Sequence, residues 1–415
     1  MRSPWGLLTT RGKVFLVGGL VVALAGIFLG YEDVTRIGIL VGVLPLLALL
    51  LVPRRTPRLQ VRREIDPSRL TPDERGAVQV RFTNVGTRPT GFYLAEEQLD
   101  YQLGDRPRFV LPRMLPGEER RLRYAVRSRH RGAFPLGPVL LRQRDPFGLT
   151  FLTLQLSSRS EVLVLPRVWS LGESRVRGSA RGSEGEMPQM VALQGEDDVS
   201  IRSYRDGDEL RRVHWPATAH RGELMVRQED RPARRRVILL LDSRATAHPG
   251  SGVRPSFEWA VSAIATVAHH LAAQGFVVHL LTDATLRDGL AEHPLDLDVT
   301  LDTLARAQPE RDARLDRLAG AAGPFTSGGV LVVAAVVAHD ELDLRTLAAI
   351  RQPGSRALAF VLDPTRFGAD PPSRGQAPTA VLADAGWRTV VCGAQTEIPL
   401  AWAGLGTTST VGRPA

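Results

Sequence analysis

An α/β fold on a parallel sheet, preceded by a small β-sandwich and a two-helix apolar hairpin, is the architecture this sequence predicts. Three observations carry it. Two uncharged apolar runs, 14–30 and 37–52, open the chain. Residues 56–166 alternate apolar and polar side chains with period two, the mark of strands with one face on a core. From about residue 235, short wholly apolar runs alternate with segments of helical spacing, which predicts a parallel sheet covered on both faces. The 415 residues allow two or three domains. The expected division is a hairpin at 1–55, a β-sandwich at 56–166, a linker at 167–198 and an α/β domain at 199–415.

The hairpin comes first in the chain. At about 1.5 Å per residue each run forms a helix of roughly 25 Å, enough to span a bilayer once its flanks are added. Trp5 and Tyr31 stand where aromatic anchors sit, and Gly18-Gly19 suits close helix contact. No small-x-small cleavage site ends the first run, which disfavours a signal peptide. A buried hairpin in a soluble core is the bland alternative.

Charge placement bears on the same question. The net charge is +9, and 52 of the 53 basic residues are arginine, with Lys13 the exception. Residues 1–66 hold nine basic and four acidic groups, a net +5, which leaves +4 for the other 349. Most of the excess therefore brackets the apolar runs, and no long basic patch remains for nucleic acid. Basic residues before the first run and after the second place both ends in the cytoplasm by the positive-inside rule. The single cysteine, Cys392, excludes a disulfide framework and multi-cysteine metal sites. Cys392 lies in an apolar run and reads as a small buried hydrophobe.

In the β region, Val78, Val80 and Phe82 form one alternating set, Leu122, Tyr124 and Val126 a second, and Leu152, Leu154 and Leu156 a third. Turns fall at 84–86, 115–118 and 145–148. Residues 169–197 are rich in Gly, Ser, Glu and Arg and read as a linker. Beyond them, strands are predicted at 237–241, 276–281, 330–337, 357–362 and 389–392. Helices are predicted at 257–271, stopped by Gly275, at 297–318 and at 342–350.

The densest run of unusual residues lies between 201 and 219. Tyr204, Arg205, Gly207, Asp208, Arg211, His214, Trp215 and Ala219 fall within it. Asp206-Gly207 is a turn pair. Asp208 suits pairing with Arg211 or Arg212, and Trp215 reads as an apolar anchor. One reading is an excursion between strands at 200–204 and 223–229, packed on the sheet edge. Another is a recognition surface, or an active site with His214 as acid–base. Catalysis is disfavoured because a general base needs a partnered nucleophile, and none is visible.

With Arg131-Gly132, Leu136-Gly137-Pro138 and Asp145-Pro146-Phe147-Gly148-Leu149, the run resembles the bacterial domain-of-unknown-function family numbered 58. The resemblance extends over nearly the whole chain, hairpin included. It implies a membrane-anchored protein whose C-terminal domain is von Willebrand factor A-like, a Rossmann-type parallel sheet. It also implies a MoxR-type AAA ATPase as the expected partner, and no established reaction.

In A-like domains a D-x-S-x-S run after the first strand holds a divalent metal through hard oxygen ligands. Here the run is Asp242-Ser243-Arg244-Ala245-Thr246. Asp242 and Thr246 are compatible, but Arg244 cannot ligate metal and is placed to pair with Asp242 in the metal's stead. A degenerate site without Mg²⁺ is the expectation. Asp283, Asp340 and Asp363 also end strands, as further ligands or as caps. No nucleotide-binding glycine motif is present. The expected role is a non-enzymatic scaffold at the inner face of the cytoplasmic membrane, contacting lipid and a protein partner. The alternatives are an enzyme built on His214 and Asp208, and a metal-dependent adhesive or chaperone-like domain.

Overall fold

A computed structural model describes residues 4–51, 57–171, 199–204, 213, 215–229, 235–250, 253–326, 330–337, 341–352, 355–368 and 379–406. The chain forms two compact units, Met1–Pro166 and Arg167–Ala415.

The first unit opens on α1 (Thr10–Leu29) and α2 (Glu32–Leu51), each of 20 residues and therefore about 30 Å long. That matches the hydrocarbon core of a bilayer. Gly30 turns the chain at φ 71°, where a Cβ would be strained. The helices meet through small residues. A Cβ on Gly19 would lie 2.4 Å from the Gly42 nitrogen, and one on Gly38 would lie 2.3 Å from that of Ala23. Close backbone approach of this kind is how apolar helices pack without a hydrophobic drive. The large side chains point outward instead, Phe28 at 86% exposure and Leu50 at 73%. A hairpin buried in a soluble core would cover them. Both helices are long and apolar enough to cross a membrane.

Nine strands follow: β1 (Leu59–Asp66), β2 (Arg69–Leu70), β3 (Arg75–Asn84), β4 (Tyr93–Leu99), β5 (Arg108–Leu111), β6 (Glu119–Arg127), β7 (Gly132–Arg144), β8 (Phe151–Leu156) and β9 (Ser160–Val164). Strands β1-β3-β6 form one sheet, and β2-β9-β7-β4-β5 a second, with β8 paired to β7. Their inner faces share one core. Val78, Val80, Phe82 and Val126 of the first sheet meet Ala95, Leu111, Leu141 and Val162 of the second. Inside this core lies an ion pair, Arg63 on β1 with Glu97 on β4, at 2.9 Å and 0% and 1% side-chain exposure. Arg63 also donates to Ser158, whose hydroxyl donates to the Val61 carbonyl.

The second unit begins with a ribbon, β10 (Val199–Ser203) antiparallel to β11 (Met225–Glu229), with the short helix α3 (Trp215–Arg221) between them. The ribbon is a two-stranded sheet of its own. The main sheet comprises β12 (Arg236–Leu241), β13 (Val277–Leu281), β14 (Leu331–Val337), β15 (Arg356–Leu362) and β16 (Trp387–Cys392). All its pairings are parallel, in the order β13-β12-β14-β15-β16.

Helices cover both faces: α4 (Pro255–Ala273), α5 (Asp283–Arg287), α6 (Leu297–Arg306), α7 (Leu315–Ala322), α8 (Glu341–Ala348), α9 (Ala380–Asp384) and α10 (Ile398–Gly406). Leu318, Leu344 and Leu382 from α7, α8 and α9 pack on Ala359 and Val361. On the opposite face, Trp259 of α4 and Trp402 of α10 pack on Phe360.

One predicted element is corrected. The expected helix 297–318 is two helices, α6 and α7, separated by residues 307–314. Pro309 explains the break, because its ring cannot continue an α-helix and it excludes α geometry at Gln308. The freed segment runs back along the loop after β12. Glu310 donates its N–H to the Ser243 carbonyl at 2.7 Å and accepts from Ala245 N–H at 2.7 Å.

Candidate functional site

The order of the sheet locates the crevice. In chain order the strands run 2-1-3-4-5, so the direction of winding reverses between β12 and β14. Open α/β sheets bind ligands outside the carboxyl ends of the strands at such a point. Asp242 follows β12 there, fully buried. Arg244 fills the crevice. Its Nε and Nη2 donate to the two Asp242 carboxylate oxygens, each at 2.9 Å. Nη1 donates to Asp343 at 2.8 Å, and Nη2 also reaches the Val337 carbonyl at 2.8 Å. One guanidinium thus ties the loop after β12 to the end of β14 and to α8. A planar five-donor fork suits this task where a lysine would not.

The surrounding residues fix the loop. His248 directs Nε2 at the Asp242 carbonyl, 3.0 Å away, and Nδ1 at Ser256 Oγ, 2.9 Å away. A carbonyl only accepts, so Nε2 carries the proton and Nδ1 accepts from the serine. Burial holds the imidazole below its ordinary pKa and so neutral. Arg254 Nη1 donates to the Ala245 and His248 carbonyls.

These residues do not fit a divalent metal. Both Asp242 oxygens are spent on Arg244, and Thr246 stands exposed in the turn beyond. Asp363 acts as a cap, accepting from Thr365 N–H and Oγ1. Asp340 lies outside the described residues. Among the described residues, no group of three or more His, Cys, Asp or Glu is placed to hold a metal ion.

Beside the crevice lies a cavity of about 530 Å³, lined by Asp283, Arg287, Glu310, Asp312 and neighbouring side chains. Asp283 is buried and accepts from Ser243 Oγ at 3.0 Å. Burial raises its pKa, and the nearby Asp242 charge raises it further. Asp242 differs. Burial pushes its carboxyl up, but the Arg244 fork more than offsets this and holds it below the ordinary value. The consequences for stability have opposite signs. The Asp242 contribution is present at neutral pH and is lost as the pH falls below the ordinary carboxylate range. Asp283 binds its proton more tightly folded than unfolded, so its protonation on acidification stabilises the fold. Asp283→Asn is therefore expected to raise the melting temperature at pH 7. The gain should vanish at a pH where Asp283 is already protonated, as thermal melts at the two pH values will show.

Of the candidate residues in the run between 201 and 219, the structure describes Tyr204, Trp215 and Ala219. Arg205, Gly207, Asp208, Arg211 and His214 lie outside the described residues. Tyr204 ends the ribbon, its N–H donating to the Leu224 carbonyl at 2.8 Å. Val213 bridges to Val226, and both are buried. Thr218 Oγ1 accepts from Met225 N–H. Ala219 is exposed. Trp215 opens α3 at 68% exposure, so it serves no core. Elsewhere, His269 is exposed and His270 packs edge-on against Trp402. Cys392 is buried, and burial pushes its thiol up to about 12.

Fold and site together define a chain with two apolar helices, a β-sandwich and a doubly wound α/β domain whose switch-point crevice is closed by an internal arginine. Residues 200–311 match the family described as Protein of unknown function DUF58. None of the curated proteins matches it. Among solved structures it is similar to the putative ApaA protein from Bordetella pertussis. The two share 15% identity over 27% of this chain and 98% of that one, at a TM-score of 0.20. A CARDB domain from Pyrococcus furiosus is similar at 16% identity over 26% and 89%, also at 0.20. TM-scores this low assign no fold.

Proposed function

We propose that this protein is a membrane-anchored docking protein with no reaction of its own. The observation that carries the reading is Trp215, a large aromatic in the family-matched segment that stands 68% exposed. Tryptophan is enriched among the residues that dominate binding energy at protein interfaces. Two further features favour docking over catalysis. The crevice where a doubly wound sheet binds small ligands is closed by Arg244. His248 is neutral, buried and bonded through both ring nitrogens.

In this reading α1 and α2 span the cytoplasmic membrane twice, and the basic flanks keep both soluble units in the cytoplasm. The α/β domain is a degenerate von Willebrand factor A-like domain whose strand-end cation is Arg244. The family resemblance makes a MoxR-type AAA ATPase the partner of choice, an assignment by analogy.

The test is affinity capture from native membranes with the full chain. Trp215→Ala should leave stability within about 0.5 kcal/mol, as a surface substitution does. It should weaken capture of the ATPase by about 2 kcal/mol, roughly 30-fold. Unchanged capture would remove the docking role of Trp215, and failure of the intact chain to capture any ATPase would remove the partner. If His214→Ala abolishes cellular function while capture is unchanged, an enzymatic reading takes its place.

A further inference from the structure

Most of the exposed apolar side chains of the β-sandwich are gathered at one end. Register shows which end each loop occupies. β3 ends at Asn84 and β4 begins at Tyr93, so loop 85–92 closes that end. β5 ends at Leu111 and β6 begins at Glu119, which places loop 112–118 beside it. Asn84 joins the two loops by donating to the Arg88 and Met114 carbonyls. Leu94 pairs with Arg142, so the turn between β7 and β8 lies at the same end. On these three loops stand Phe92 at 62%, Leu115 at 59% and Phe147 at 62% exposure. Val85 adds a fourth at 57%. The opposite end, beyond the Leu99–Leu136 pair, carries Tyr101.

The same end holds the start of α1. Asp145 organises the turn: its carboxylate accepts from Phe147 N–H, Thr150 N–H and Thr150 Oγ1. Gly148 closes it at φ 67°, donating to the Asp145 carbonyl. The turn then holds Thr9, the residue that caps the helix. Thr9 donates its N–H to the Leu149 carbonyl at 2.9 Å and its hydroxyl to the Gly148 carbonyl at 2.8 Å. Leu8 bridges to Thr150. Gly12 lies so close that a Cβ there would sit 2.2 Å from the Leu149 oxygen. The turn is thus level with residues 9–12 of the helix. The uncharged run begins two residues on at Val14, about 3 Å further along the axis.

We propose that this end of the β-sandwich seats on the lipid interface, with Phe147, Phe92 and Leu115 entering the headgroup–acyl boundary around the first helix. The proposal rests on the membrane-anchor reading above. The occupant is a lipid surface because the patch continues from a helix of membrane length and is fixed to it through backbone hydrogen bonds. Its rim is basic. Arg11, Arg58, Arg88, Arg113 and Arg144 are exposed around these loops, which favours anionic headgroups.

Depth measurement on the full chain tests this. Cys392 is buried, so Cys392→Ala gives a background without reactive thiols. Phe147→Cys, Leu115→Cys, Tyr101→Cys and Leu24→Cys are each spin-labelled in liposomes containing phosphatidylglycerol. Collision with oxygen is compared with collision with a water-soluble nickel chelate. The expected result is position 24 deep in the bilayer, 147 and 115 at the interface with a several-fold higher oxygen-to-nickel ratio than 101, and 101 in water. Position 24 deep with 147 and 115 as wet as 101 would overturn the proposal and leave the anchor standing. Position 24 in water would overturn the anchor and the proposal with it.

Discussion

Arg244→Ala is expected to destabilise the α/β domain by about 3–5 kcal/mol, the usual cost of removing one partner of a buried ion pair. The Asp242 carboxylate would be left fully buried without its fork, and Asp343 and the Val337 carbonyl would each lose a donor. At about 2–4 °C per kcal/mol for a domain of this size, the melting temperature should fall by roughly 6–20 °C. Arg244→Lys should recover part of the charge and little of the geometry, since an ammonium cannot reach three acceptors as a planar fork does. The same truncation gathers hard oxygen ligands around a space vacated by a cation. Millimolar Mg²⁺ should therefore raise the melting temperature of Arg244→Ala and leave the unsubstituted chain unmoved. A Mg²⁺ upshift in the unsubstituted chain would show that the crevice is not sealed.

A comparable loss is expected in the first unit. Arg63→Ala should cost about 3–5 kcal/mol, because Glu97 would be left without its partner in a core that gives it 1% exposure. The pair is already imperfect. Among the described residues, one Glu97 oxygen and the Tyr124 hydroxyl have no hydrogen-bond partner, and burial raises the Glu97 pKa against the pull of Arg63. The double replacement Arg63→Met with Glu97→Leu is therefore expected to be near neutral or stabilising, since it removes both desolvation costs together. Denaturant unfolding of the single and double variants measures this. A double variant as damaged as the single would show that the pair itself holds the two sheets together.

The sequence allowed much of this to be read, for identifiable reasons. Val237 to Leu241 is wholly apolar because β12 is covered on both faces, and such a run stands out without any alignment. Arg244 is visible because it breaks a spaced pattern two residues from Asp242. Its third partner was not legible. Asp343 lies 99 residues away and reaches the site from α8, whereas the sequence drew attention to Asp340. Arg63 illustrates a different limit. The alternation of β1 puts it on the inner face with Val61 and Ile65, yet among Arg62 and Glu64 it reads as one more surface charge. Its partner stands before an irregularity in the pairing of β4, where strict alternation fails. The break at Pro309 was legible in principle. The apolar residues of 297–318 recur at a spacing that passes over it.

The closed crevice has one more consequence. A bound ion is in equilibrium with the solution, so a domain that depends on one gains stability in proportion to the logarithm of the ion's concentration. A cation carried on a covalently attached side chain has no dissociation constant. The α/β domain is therefore expected to hold its strand-end geometry at any magnesium concentration and in the presence of chelator.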